Sequence, residues 1–168
     1  VYDATTLDMA AAHAANNIFM TTENVAQLRA ALGLAEGDTH WHIRPHVEYR
    51  STGDFTIAAD ENLNLRRYLS STEAGSLSIR AAGNVLVNGA LSDGFSTATA
   101  AGLLQSRDSG WNIVLVAGGD VEAAAASSLR AVATLENGGD LRIAAGKFVR
   151  TGAGSIEAHA GRDIVFAA

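Results

Sequence analysis

Leu77-Ser78-Ile79-Arg80-Ala81-Ala82-Gly83-Asn84-Val85-Leu86-Val87 reads as two short strands on either side of a corner. Leu77, Ile79 and Ala81 fall at every second position, as do Val85 and Val87. That period belongs to a strand with one buried face. Between them, Ala82-Gly83-Asn84 brings the residue types that tolerate left-handed backbone and close tight turns. The template is apolar-x-apolar-x-Ala, three spacers, apolar-x-apolar, and it recurs from Phe55, Ile113, Leu141 and Ile156. The copy at Leu141 breaks it in the last slot, where Thr151 stands. The other spacers are Asp60-Glu61-Asn62, Gly118-Gly119-Asp120, Gly146-Lys147-Phe148 and Gly161-Arg162-Asp163.

One such unit cannot bury its own apolar face, so repeated units are expected to stack. The sequence therefore predicts a mainly β chain: a right-handed parallel β-helix, or solenoid, of about five coils over 40–168. Phe55, Leu77, Ile113, Leu141 and Ile156 would form one inner column. Unequal gaps between the copies would be taken up by loops at 66–76, 88–112 and 124–140. In the last of these, Leu129, Ala131, Ala133 and Leu135 alternate as in a third strand, while the alanines over 122–135 suit a short helix equally.

Residues 1–39 do not follow the template and are expected to form a short helical insertion or lobe. Thr5 or Thr6 would cap a helix running to Phe19, with Leu7, Ala11, Ala14 and Ile18 on one face. Thr22 would cap a second helix from Glu23 to Leu32, closed by Gly33. Tyr2 suits a preceding strand. Residues 40–49 suit a strand leading into the first coil, with Trp41 and Ile43 pointing inward.

The chain has 168 residues, a length for one domain or one domain with an appendage. Net charge is −6 and Lys147 is the only lysine, which argues against a nucleic-acid partner. No apolar run reaches the length of a membrane span, so no membrane insertion is expected. Cysteine is absent, which fits a core that needs no disulfide and suits an exported chain and a reduced cytosol alike. The start at Val1 and the apolar last strand read as a segment of something longer. No signal peptide is visible.

His40, His42 and His46 would share one strand face, where imidazoles can bind zinc or a haem iron, with Asp38 or Glu48 as a further ligand. The competing reading is a solvated polar face, and no metal site is assigned; His13 and His159 stand alone. Gly118-Gly119-Asp120 and Gly138-Gly139-Asp140 resemble calcium-binding turns but lack the nine-residue repetition such sites need, so tight turns account for them better. Asp54, Asp60, Glu61, Asp93, Asp108, Asp120, Glu122 and Asp163 invite a glycosidase or lyase reading, which requires a carboxylate pair at a set separation. Stacking would bring Asp120 near Asn84 and Asp163. Phe95 and Trp111, near the longest loop, are the candidate binding residues, since exposed loop aromatics mark recognition.

The run Arg44-Pro45-His46-Val47-Glu48-Tyr49-Arg50-Ser51, then Gly53-Asp54-Phe55-Thr56-Ile57-Ala58-Ala59-Asp60, resembles filamentous haemagglutinin-like large exoproteins of Gram-negative bacteria. So does Leu77-Ser78-Ile79-Arg80-Ala81-Ala82-Gly83-Asn84-Val85, running into Asn88-Gly89-Ala90-Leu91-Ser92-Asp93-Gly94-Phe95. The resemblance implies a long right-handed β-helix, secreted by two-partner secretion through an outer-membrane β-barrel and acting as an adhesin or as a stalk for a C-terminal toxin. It implies a location outside the cell or on the bacterial surface. The implied partners are a cell-surface receptor or glycan, the outer-membrane two-partner secretion transporter, and neighbouring coils of the same parent chain. No Asn-rich secretion signature is present, so the chain resembles an internal or C-terminal segment. It brings no catalytic motif; some such proteins are labelled for haem use, but no cofactor is expected for this chain. The expected function is a structural and adhesive segment that is not an enzyme. The alternatives are a carbohydrate-active enzyme on the same fold and a haem- or metal-binding module at the histidines.

Overall fold

The computed structural model describes all residues except 36, 37, 39, 106–108 and 137. The described chain opens with β1 (Tyr2–Asp3) and two helices, α1 (Met9–Phe19) and α2 (Thr22–Ala31). Strands β2 (His46–Ser51), β3 (Phe55–Ile57) and β4 (Glu61–Asn62) follow, then β5 (Ser76–Ala81), β6 (Val85–Val87) and β7 (Leu91–Ser92). The rest comprises β8 (Asn112–Ala117), β9 (Leu141–Ile143), β10 (Val149–Arg150), β11 (Ile156–Ala160) and β12 (Ile164–Phe166).

These strands make three parallel sheets with the orders β1-β2-β5-β8-β11, β10-β7-β4 and β12-β9-β6-β3. In the first, Val47, Leu77, Ile113 and Ile156 stand in register; in the last, Phe55, Val85, Leu141 and Ile164 do. Ile156 and Ile164 are exposed; Tyr49, Ile57, Ile79, Val87 and Leu115 join the others in the core, all nearly or fully buried. Burial of each such side chain contributes about 1.5–3 kcal/mol relative to exposure.

The expected mainly β, five-coil right-handed parallel β-helix is corrected by this arrangement. The molecule is a small α/β protein of three parallel sheets of short strands with two helices. Its five anchors do not share a column: Leu77, Ile113 and Ile156 lie in the five-stranded sheet, whereas Phe55 and Leu141 lie in the four-stranded one. The cause is degeneracy. Both halves of the template read apolar-x-apolar, so β3 and β9 pass for first-half strands. The strand that precedes β5 in its sheet is β2, not β3, and its corner residue is Ser51 rather than alanine. The second half of the copy at Ile113, Val121-x-Ala123, forms no strand, and neither do Leu63 and Leu65, which lie in a 3-10 turn (Leu63–Arg66).

The helices form for local reasons but start differently from expectation. Asp8 caps α1, its side chain accepting the Ala11 N–H at 2.9 Å; Thr21 caps α2 through the Asn24 N–H at 3.1 Å. Met9 and Ala12 carry α1 into the core. The Tyr49 hydroxyl donates to the Asp8 carbonyl at 2.6 Å, and His13 Nε2 donates to the Arg67 carbonyl at 3.0 Å. Helix α2 buries none of its residues. The helical option for 122–135 and the third-strand option both fail: among the described residues there, only Val132–Thr134 is regular, as a 3-10 turn. No helix among the described residues is long and apolar enough to cross a membrane.

Candidate binding surfaces

Trp111, expected on an exposed loop, is wholly buried. Its ring lies 6.1 Å from that of Tyr68, and it fills the space in which a Cβ on residue 75 would fall at 2.7 Å, so Gly75 is what lets it in. Its backbone N–H donates to Asp93 Oδ2 at 3.0 Å. Phe95 is half-buried beneath the Arg150 guanidinium, 3.8 Å from the ring centroid. The same guanidinium sits 4.4 Å from the Phe148 ring and donates to the carbonyls of Thr97 and Thr99. Phe95 thus pins a loop, with its ring covered by a cation.

The histidines do not converge. The strand expected from residue 40 begins only at His46, so even spacing gives the three no common face. His40 Nδ1 lies 2.9 Å from Asp38 Oδ1 and His42 Nδ1 lies 2.8 Å from Glu73 Oε1; His46 is exposed. The backbone N–H of His40, then its ring, hold the Asp38 carboxyl below its ordinary pKa. Among the described residues no three His, Cys, Asp or Glu side chains lie together as metal ligands would. Trp41, expected inward, is 62% exposed.

Most of the described carboxylates are engaged in the scaffold. Asp93 is buried and accepts from Arg67 (2.7 Å), the Trp111 N–H and Thr151 Oγ1 (3.2 Å). Asp60 accepts the Ala90 N–H at 2.7 Å and pairs with Lys147 at 2.9 Å. Asp54, Asn84, Asp140 and Asp163 form a ladder at the turns before β3, β6, β9 and β12. Each backbone N–H donates to the side-chain oxygen of the residue below, at 2.7, 3.0 and 3.2 Å. Asp140 takes the place in this ladder that stacking had given to Asp120. Asp120 instead accepts the Glu122 N–H at 3.2 Å. Asp108 lies outside the described residues. Sequence reasoning missed the ladder, although its signal was present: Asp or Asn immediately precedes Phe55, Val85, Leu141 and Ile164.

The described residues of 118–140 belong to none of the three sheets, and the start of this excursion lies over the outer face of the five-stranded sheet. Arg80 holds it there. The Arg80 side chain is 1% exposed; its Nη1 donates to Glu48 Oε1 at 3.0 Å, and its Nη2 donates to the carbonyls of Asp120 and Ala123. Glu48 also takes both guanidinium contacts of Arg50, at 3.0 and 3.1 Å. Burial pushes the Glu48 pKa up, but the hydrogen bonds and charges of Arg50 and Arg80 outweigh it and leave it lowered.

Beside the excursion runs an open groove of about 540 Å³, lined by Thr52, Ala82, Gly119–Glu122, Leu129–Ala131 and Thr134. Further hollows continue it toward Asp3, Thr5 and Arg50 on one side and Asp54, Asn84 and Glu136 on the other. Arg130 donates to the Thr134 carbonyl at 3.1 Å and so borders the groove with a fixed guanidinium. Its walls mix the Thr52 and Thr134 hydroxyls, the Asp120 and Glu122 carboxylates and the Arg130 guanidinium with apolar Ala82, Val121, Leu129 and Ala131, a lining suited to a chain with both polar and apolar faces, such as a glycan or an extended peptide.

No family model, no curated protein and no solved structure matches the chain.

Proposed function

We propose that the chain is a structural and adhesive segment of a secreted, cell-surface exoprotein of the filamentous haemagglutinin-like kind, without catalytic turnover. On this reading the parent reaches the surface through a two-partner secretion transporter, and this segment meets a receptor or glycan. The observation that carries the reading is the open groove of mixed polar and apolar lining beside the 118–140 excursion, set on a scaffold whose buried ionic pairs, Arg67–Asp93 and Arg80–Glu48, serve to hold strands and loop. The enzyme reading finds its candidate carboxylates Asp54, Asp60 and Asp93 occupied by scaffold hydrogen bonds, and the haem or metal reading finds its histidines apart.

The test is attachment. Surfaces coated with the purified chain should retain cells that carry the receptor, and soluble chain should compete. Thr52→Arg, which fills the groove from an exposed position, and Arg130→Ala, which strips its cation, should each weaken retention at least tenfold with an unchanged circular dichroism spectrum. Retention indifferent to both changes, or turnover of a polysaccharide panel, would remove the proposal.

A further inference from the structure

We propose that the pocket around Trp41 is a saccharide subsite that takes an uncharged pyranose ring. The inference deepens the adhesive reading, on which it rests, by giving it a ligand class and a place that shares no lining residue with the groove. Trp41 is 62% exposed, yet it is held: Arg29 of α2 donates to the Trp41 carbonyl at 2.7 Å, to the Asp38 carbonyl at 2.6 Å and to the Ala35 carbonyl at 3.0 Å. One guanidinium therefore ties the loop bearing the indole to the helix. The pocket beside it measures about 210 Å³; Val25 and Leu69 give it an apolar floor, and Arg29, Asp38, His42 and Glu73 ring it.

That pattern fits a sugar. A pyranose has an apolar C–H face and a rim of hydroxyls that both donate and accept. The indole face receives the first, and carboxylate, imidazole and guanidinium groups receive the second. The charge of the rim narrows the ligand further. Asp38 and Glu73 oppose a uronate or a sialic acid. Arg29, tied to the Asp38 carbonyl, and Arg44, 3.8 Å from Glu73, offset them, so the rim is near neutral and selects a neutral ring.

The far wall adds an independent observation. Leu69, Ser70 and Ser71 have φ of +49°, +57° and +70°, three consecutive non-glycine residues in the left-handed region. Such a run is strained, and strain of this kind persists where the surroundings impose it, characteristically at ligand clamps. Here the turn is tied by the Thr72 hydroxyl to the Leu69 carbonyl at 2.7 Å, and it sets Leu69 in the pocket with Ser70 and Ser71 exposed next to it.

The test is a titration of the intact chain with methyl glycosides of glucose, galactose, mannose and N-acetylglucosamine, with glucuronic and sialic acids alongside, followed by tryptophan fluorescence and calorimetry. Trp111 is buried, so the response belongs to Trp41. The expected result is a saturable blue shift with at least one neutral sugar, at least tenfold weaker with the acids, and lost in Trp41→Ala. Glu73→Gln should weaken binding without abolishing it. Chemical-shift perturbation confined to residues 25–43 and 69–73 serves if Trp41→Ala fails to fold. No saturable response to any neutral sugar, a response that survives Trp41→Ala, or equal binding of the acids would overturn the proposal. Cell retention by a chain that binds no sugar overturns it too, while leaving the groove reading in place.

Discussion

Asn84 is the residue through which the turns communicate. Its amide donates to Asp54 Oδ1 at 3.1 Å, its backbone N–H donates to the same oxygen, and its side-chain oxygen accepts the Asp140 N–H at 3.0 Å. Asn84→Ala leaves that N–H without its acceptor inside the stack. It should cost about 1–3 kcal/mol, the penalty for a buried polar group left unpaired. A urea midpoint lowered in proportion, with an unchanged denaturant slope, checks it. An Asn84→Ala midpoint equal to that of the parent chain would mean that the ladder is ornamental. The role of Asn84 was half legible. Its suitability for a tight turn follows from its type. The ladder could not be read, because it depends on which turns lie above one another, and the template placed Asp120 where Asp140 belongs.

At the scale of elements, the excursion over 118–140 depends on Arg80. Ser78 and Arg80 alternate with the core residues of β5 and look like ordinary outward positions. In the fold both are buried, Arg80 beneath the Asp120 and Ala123 carbonyls of the excursion. Arg80→Ala should cost about 3 kcal/mol, since it leaves the Glu48 carboxylate buried with Arg50 alone. It should also raise amide exchange over 118–131 while exchange in β3, β6 and β9 changes only with global stability. Uniform acceleration across the sheets would show that the excursion is not separately clamped. The helices were the most legible elements, because capping and apolar spacing are local. Their starts shifted by a few residues when Asp8 and Thr21 took the caps expected of Thr5, Thr6 and Thr22. Trp41 was misplaced because an alternating pattern over 40–46 suggests a strand that tertiary packing does not make.

At the scale of the molecule, short parallel strands and a shared interior were readable from the period-two pattern. The assignment of strands to sheets was not, because apolar-x-apolar recurs in two sheets and carries no label for either. The open edges of β11 and β12 are apolar: Ile156, Ile164 and Phe166 are 43%, 45% and 72% exposed. Unpaired strand edges of this kind readily accept another strand. The central claim is the register itself, in which Arg142 of β9 lies beside Leu86 of β6 and Val165 of β12. A single five-copy column would instead set Arg142 beside Val114. The chain has no cysteine, so paired substitutions report cleanly. Neighbouring strands lie about 4.7–4.9 Å apart, within the span of a disulfide. Oxidative trapping of two double variants is therefore the most direct measurement. Leu86→Cys with Arg142→Cys should cross-link rapidly and completely, and Val114→Cys with Arg142→Cys should remain reduced; the reverse outcome would contradict the three-sheet arrangement.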